Sequence, residues 1–169
     1  MPKIPSKNTN KKVWYSEGLQ FACQGSGKCC TSHGKFGFVY LSLKDRKALA
    51  LFHGLSERDF RLLYCRQVDG FWALKDAGPK QANPNDCQFL KDKRCTVYEA
   101  RPTQCRTWPF WPEVMNPRKW KKDVEAFCPG VNKGEFKSQK EIDLVLAEQA
   151  KNELEMQIEQ AKKPANKNQ

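Results

Sequence analysis

The stretch Gln20–Cys30, QFACQGSGKCC, puts three thiols within eight residues, two of them adjacent. A chain can meet such a cluster by closing disulfides, by keeping a redox-active thiol, or by holding a metal. Each choice imposes a different fold. The complete set is Cys23, Cys29, Cys30, Cys65, Cys87, Cys95, Cys105 and Cys128. Seven of these eight lie among turn formers: Gly25 and Gly27 precede Cys29, Asn85 and Asp86 precede Cys87, and Pro129 and Gly130 follow Cys128. Loops suit ligation, because several segments must converge on one ion and turn their sulfurs inward. Cys65 differs. It follows Leu62, Leu63 and Tyr64 late in a helical pattern and reads as a packing thiol, since free cysteine behaves as a small hydrophobe.

A disulfide framework is disfavoured. The opening MPKIPSKNTNKKVWYSEG is basic and polar and lacks the apolar run of a secretory signal. No segment is long and apolar enough to read as a membrane span. The expectation is a cytoplasmic chain whose thiols stay reduced. Adjacent Cys29 and Cys30 could pair with each other only through a strained ring. A thioredoxin-like redox site is disfavoured too, because no C-x-x-C occurs.

Metal remains. Zinc ribbons hold their ion with closely spaced C-x₂₋₄-C knuckles. Here the spacing is C-x₅-C-C, then C-x₇-C-x₉-C, then the distant Cys128, so each ligand must come from a separate loop. That favours an iron–sulfur cluster, whose larger core is held by spread thiolates, over zinc as the alternative. His33 lies near the cysteine pair and could support a ligand from behind. A surface histidine is the blander reading for both His33 and His53.

The 169 residues suffice for one domain with a core. Thirty Lys and Arg against nineteen Asp and Glu give a net charge of +11. Much of that charge sits at the ends: Lys3, Lys7, Lys11 and Lys12 in one tail, Lys162, Lys163 and Lys167 in the other. Bound thiolates would offset more of it, so nucleic-acid binding is disfavoured as the meaning of the charge.

Along the chain, residues 1–12 read as a disordered basic tail, 13–136 as the cysteine-cluster domain, 137–162 as a C-terminal helix and 163–169 as a second disordered tail. GKFGFVYLS reads as an extended segment carrying Phe36, Phe38 and Tyr40. SLKDRKALALFHG reads as a helix capped by Ser42 and closed at Gly54. SERDFRLLYCRQV reads as a second helix, with Ser56 and Asp59 at capping-box spacing. DGFWAL follows as a strand after a turn, then a polar loop over 75–86. CQFLKDKRCTVYEARPTQCRTWPFWP reads as a hairpin-like turn and a short helix, with Pro102 suited to a first helical turn and Pro109 and Pro112 forbidding a long one. Ser138 and Glu141 open the last helix. Its stripe Ile142, Leu146, Ala150, Leu154 and Ile158 would dock on the domain or on a protein partner. The fold class is α+β: a small, irregular, loop-rich cysteine-cluster domain of short helices and strands, plus a long C-terminal helix.

FACQGSGKCC, CQFLKDKRCTVYEARPTQCRTWPF and FCPG together resemble the YkgJ-type cysteine-cluster proteins, over roughly Leu19 to Gly130. That family is described as zinc- or iron-chelating, and flagellin lysine N-methylases carry a related domain. The resemblance implies a cytosolic bacterial protein whose metal ligands are Cys23, Cys29, Cys30, Cys87, Cys95, Cys105 and Cys128. Arg101, Pro102 and Arg106 accompany them in the motif, and Cys65 falls outside it. Arg101 and Arg106 flank Cys105, where a guanidinium can donate to thiolate or sulfide and offset negative charge. Tyr98, Trp108, Phe110 and Trp111 would wall the site from water.

Two other functions compete with a plain metal-binding module. One is a protein lysine N-methylase-like enzyme or accessory. Against it, the chain has no G-x-G-x-x-G loop and no radical-type C-x₃-C-x₂-C. The other is a zinc-dependent nucleic-acid-binding protein, which a salt-sensitive shift with DNA or RNA would reveal.

Overall fold

The computed structural model describes residues 12–31, 37–78 and 83–162. His33, Phe36, residues 1–11 of the first expected tail and the whole second tail lie outside them. The architecture is mixed α+β. In chain order it runs β1 (Leu19–Phe21), a 3₁₀ turn (Lys28–Cys30), α1 (Leu43–Phe52), α2 (Glu57–Tyr64), β2 (Cys65–Val68), β3 (Phe71–Leu74), β4 (Leu90–Lys91) and β5 (Arg94–Cys95). A 3₁₀ turn (Tyr98–Ala100), α3 (Thr103–Thr107) and α4 (Pro117–Lys119) follow; α4 continues as a π-helical turn (Trp120–Glu125), and β6 (Val131–Lys137) and α5 (Gln139–Ala161) complete the chain. The strands form three two-stranded antiparallel sheets, β1–β6, β2–β3 and β4–β5. No helix of the described residues is long and apolar enough to cross a membrane.

Local signals start the helices where the sequence predicts. Ser42 and Asp45 form a reciprocal capping box on α1, and Ser138 and Glu141 form one on α5. Ser56 accepts from the Asp59 amide at the start of α2. The second helix is shorter than its sequence pattern. It stops at Tyr64, and Cys65–Val68 turns into β2, paired residue for residue with β3 from Cys65↔Leu74 to Val68↔Phe71. Asp69 (φ 51°) and Gly70 (φ 83°) make the tight turn between them, the Asp-Gly geometry whose handedness matches strand twist. The pairing gained by that hairpin outweighs continuing the helix. Pro102 stands one position before α3 and not inside its first turn.

The helical segment over 117–125 and the pairing of β6 with β1 had no strong local signature. Asn116 caps the first of these, accepting from the Lys119 amide. β6 is mostly exposed and is defined by its partner: Leu19↔Lys137, Gln20↔Phe136 and Phe21↔Val131, with an irregularity between Gln20 and Phe21.

Two apolar clusters carry the packing. Leu41, Leu49, Phe60, Cys65, Leu74, Phe89 and Val97 build one around α1, α2 and β3. Tyr15, Phe21, Phe110, Trp120, Val124 and Ile142 build the other. His53, far from being a surface residue, is half-buried and stacks on Phe60, Tyr64 and Phe89.

The docking face of α5 differs from the predicted stripe. Ile142 is buried, but Ala150 is exposed, and Leu154 and Ile158 keep 55 % and 45 % of their surface. Steps of four residues overshoot a 3.6-residue turn, so such a stripe winds off any one face. The buried line runs instead through Ile142, Gln149 and Asn152, and on to Glu159. Two of its polar members are met: Thr107 donates to Gln149 (2.7 Å), and the Arg46 guanidinium grips both Glu159 oxygens (2.6 and 3.1 Å), whereas the buried Asn152 side-chain N–H has no hydrogen-bond partner among the described residues.

Arg46 is fully buried and also donates to Glu57 (2.7 Å) and to the Leu41 carbonyl (3.0 Å). One cation thus ties α1 to α2 and α5. Arg46→Met is expected to lower unfolding free energy by about 3 kcal/mol, the low end for stripping one partner from a buried ion pair, because both carboxylates are partly solvated. Urea denaturation measures it. An unchanged midpoint and slope would show that packing alone holds α5.

Candidate metal centre

The cysteine segments converge through backbone contacts that need no metal. Gly27 adopts φ 69°, and any Cβ there would collide with the Lys93 carbonyl. The glycine therefore lets the first cysteine loop lie against the β4–β5 hairpin, which carries Cys95. In that hairpin Asp92 (φ 50°) and Lys93 (φ 62°) form the two-residue turn. The Cys87 amide donates to the Cys30 carbonyl (2.8 Å), and the Ala22 amide to the Gly130 carbonyl (3.1 Å). The first bond draws Cys87 to the adjacent pair. The second, with Phe21↔Val131, draws Cys23 and Cys128 to the same end of the β1–β6 sheet.

All seven motif cysteines line a single cavity of about 510 Å³. Residues of both apolar clusters line it, Val39, Leu74, Phe89 and Val97 from the first and Phe21 and Trp108 from the second, with Phe127 beside them. A neighbouring cavity of about 270 Å³ shares Cys29, Cys30, Cys87, Cys105 and Trp108 and adds Phe38 and Trp111.

Cys30 is the hub. Its sulfur lies 3.9 Å from that of Cys29, and Cys87 and Cys95 also act on its thiol. Sharing a proton with three neighbours holds the Cys30 thiol strongly protonated. The neighbours gain what it loses. Cys29 falls to about 7, chiefly through the bond from Cys30, against burial and with help from Arg101. Cys95 falls to about 6 through Cys30 first, then the Val97 backbone amide and Arg101. Cys87 is lowered by Cys30, with the Phe89 amide assisting. Cys105 goes the other way: burial pushes it well up, and the charges of Cys87, Cys29 and Cys95 add to that. Cys65 is 4 % exposed, packed among apolar side chains of the first cluster, and burial raises its thiol to about 11.

The two motif arginines part company. Arg101 lines the cavity, lays its guanidinium over the Tyr98 ring (3.6 Å to the centroid) and donates to the Tyr98 carbonyl. Arg106 donates to the Arg101 carbonyl (3.1 Å) and pairs with Glu148 on α5 (3.0 Å), so its charge is spent outside the cavity. The aromatics divide similarly. Tyr98 and Trp108 line the larger cavity and Trp111 the smaller one, whereas Phe110 is buried in the second cluster against Phe21 and Trp120. His53 stands in its aromatic stack, and His33 is outside the described residues.

The donor set suits a soft or borderline metal. Thiolates are the ligands zinc and iron take in such sites. Among the described lining residues there are three cations, Lys28, Arg94 and Arg101, and no carboxylate, which favours a centre of net negative charge. The Trp108 indole N–H is buried, lacks a hydrogen-bond partner among the described residues, and belongs to a side chain lining the cavity. An N–H of this kind can donate to a ligating sulfur. The Cys29 and Cys30 thiols are hydrogen-bonding neighbours, and among the described residues no three His, Cys, Asp or Glu side chains are arranged as a finished ion site.

Sequence reasoning missed Lys28 and Arg94 at this cavity. Their signal was proximity to cysteines in the chain, but so many lysines and arginines share it that it had no discriminating value.

Comparison with known proteins agrees with the geometry. An uncharacterized protein of Methanocaldococcus jannaschii is 29 % identical over 113 residues, covering 63 % of this chain. The chain matches 56 % of that relative's length. No solved structure matches the chain. The model of the CxxCxxCC family, described as "Putative zinc- or iron-chelating domain", matches residues 22–141, and the chain therefore belongs to that family.

Proposed function

We propose that this protein chelates zinc or iron directly through thiolates of Cys23, Cys29, Cys30, Cys87, Cys95, Cys105 and Cys128. The observation that carries the reading is a single cavity lined by all seven thiols, with the sulfurs of Cys29 and Cys30 3.9 Å apart. Two sulfurs on one tetrahedral ion, each about 2.3 Å from it, stand roughly 3.5–4 Å apart. The 3.9 Å between Cys29 and Cys30 has that spacing. Sulfurs around a cubane cluster ligate different irons and stand farther apart. A second reading, an iron–sulfur cluster, draws support from the size of the cavity and its aromatic walls, which would shield a cluster from water. Metal and sulfide analysis of anaerobically purified protein separates the two. Iron with sulfide and broad visible absorption means a cluster; zinc or iron without sulfide means direct chelation; metal-free protein that takes up neither ion removes both.

Two further outcomes are expected. Replacing Cys29, Cys87, Cys95 or Cys105 with Ser should lower bound metal and soluble yield, because metal binding supplies folding energy to a loop-built site. Cys65→Ser should retain the metal while losing about 1–3 kcal/mol of stability, the penalty for burying a hydroxyl among apolar groups. Full metal content in three of the four ligand variants would sink the assignment.

Gly27→Ala should weaken metal binding more than Gly25→Ala. Both residues have positive φ, so each substitution carries about 1–2 kcal/mol of backbone strain. Only at position 27 does the new methyl meet the hairpin backbone, since nothing stands within 4 Å of a Cβ at Gly25. Chelator competition on the two variants tests this, and equal affinities would show that the hairpin contact does not position the loop.

A further inference from the structure

We propose that the smaller cavity, of about 270 Å³, is a binding pocket for an uncharged planar molecule that carries a hydrogen-bond acceptor. The inference goes beyond metal chelation and does not depend on it. Cys29, Cys30, Cys87 and Cys105 line both cavities, so a molecule held here would lie against the thiols. The volume is just below the roughly 300–1,000 Å³ of ordinary small-molecule pockets and suits one or two fused rings.

The walls supply the shape. Trp108 meets Trp111 edge-on, with centroids 4.7 Å apart and planes at 73°, and meets Phe127 at 6.5 Å and 85°. These three rings line the cavity together with Phe38, Val39 and Leu74. A flat ring packs well on such faces and edges. The walls are held in place by the protein's own bonds. Gln104 donates to the Phe38 carbonyl (3.0 Å) and accepts from the Tyr40 amide (2.9 Å). The Trp111 indole donates to the Gln104 carbonyl (3.1 Å) and the Thr107 hydroxyl (3.0 Å), and the Leu74 amide donates to the Val39 carbonyl (2.9 Å).

The polar groups supply the selectivity. Both charged side chains among the described lining residues are already engaged. The Lys75 ammonium donates to the Leu62 and Leu63 carbonyls (2.8 Å each), and Asp76 accepts from Arg66 (2.7 Å). The Arg66 guanidinium also lies over the Phe38 ring, 5.0 Å from its centroid, so that ring already holds a cation. An ionic ligand would lose its hydration beside groups with no charge left to pair with it. The neutral groups are committed as well: Gln104 and Trp111 in the bonds above, and the Thr31 hydroxyl to the Lys28 carbonyl (2.7 Å). Asn85 is exposed. The Trp108 indole N–H is the exception: it is buried and has no partner among the described residues. A buried donor gains most from an acceptor brought in by a ligand.

The test uses the full chain and coumarin, a neutral two-ring probe with a carbonyl acceptor. Naphthalene matches its rings without the acceptor, and 2-naphthoate and N-methylquinolinium add a negative and a positive charge. Coumarin should bind about fivefold more tightly than naphthalene, the worth of one hydrogen bond. The two charged probes should bind about tenfold more weakly than coumarin, or worse. Coumarin should shift the Trp108 indole N–H signal in proton–nitrogen NMR and show proton contacts to the Phe38 and Trp111 rings. Trp108→Phe should erase the preference for coumarin over naphthalene. No binding of coumarin to the folded parent chain, contacts to rings elsewhere, or equal binding of a charged probe overturns the inference. An indole signal that moves on metal loading and not with coumarin overturns it too, and assigns that N–H to the metal centre. The proton contacts in the parent chain decide the site even if Trp108→Phe fails to fold. Metal content is measured separately: uptake of metal without coumarin binding overturns this inference alone, and coumarin binding without metal uptake overturns the chelating function alone.

Discussion

The carboxylate of Asp45 is the tie on which the cysteine site depends. One oxygen accepts from the amide and hydroxyl of Thr103 (2.9 and 2.8 Å), and the other from the hydroxyl and amide of Ser42 (3.0 and 3.3 Å). All three residues are buried. Hydrogen bonds to a charged group contribute about 1.5–3 kcal/mol each, and leaving a buried carboxylate without them costs more. A single side chain therefore closes the capping box of α1 and caps α3 from across the fold. The second role matters most. α3 is only five residues long and cannot hold itself together, yet it carries Cys105. Gln104 on the same turn donates to the Phe38 carbonyl and accepts from the Tyr40 amide, laying residues 38–40 along the cavity wall beside β3. The next residue in α1, Arg46, holds α2 and α5. Two adjacent charges on one helix organise four elements.

Such polar ties answer a problem that apolar packing cannot solve here. Seven thiols must face one space, and each that ionises repels the others. A sheet would fix their spacing, but the sheets are two strands wide and short. The chain instead sets two apolar clusters on either side of the cavity and closes the gap with backbone bonds such as Cys87 to Cys30. Cys87 and Cys95 pack against the first cluster and Cys128 against the second. A metal centre between them would act as a shared third core.

How much of this was legible in the sequence follows from where each instruction is written. Capping residues act within four positions, so Ser42, Ser56 and Ser138 announce their helices. Turn residues act within two, so the β4–β5 hairpin is readable from its polar tip. The end of α2 was not, because the strand β2 is stabilised by β3, and Asp69–Gly70 signals the turn without saying how far the pairing extends. β6 carries mostly exposed residues and exists through β1, over a hundred positions away. The α5 stripe failed for a different reason. An apolar pattern cannot reveal a docking face that runs through the buried Gln149 and Asn152 to the half-buried Glu159, with Gln149 and Glu159 meaningful only beside their partners Thr107 and Arg46. At the site, the motif named the thiols, but nothing local separates Arg101, which faces them, from Arg106, which turns to Glu148.

Cys65 and Cys95 show that the environment, not the residue, sets the chemistry of a thiol. Both sit at strand positions and both touch the first apolar cluster. Cys65 is enclosed by carbon. Burial raises its thiol to about 11, so it stays protonated and serves as a small packing group. Cys95 receives a bond from Cys30, an amide from Val97 and the field of Arg101, which together outweigh burial and bring it to about 6. A metal needs the deprotonated form, and every ligand already poised as a thiolate lowers the work of binding. Cys30 is the exception that makes the arrangement coherent. By staying protonated beside neighbours that ionise more readily, it limits repulsion among them. Loss of that proton to solvent is what would free its sulfur for a metal.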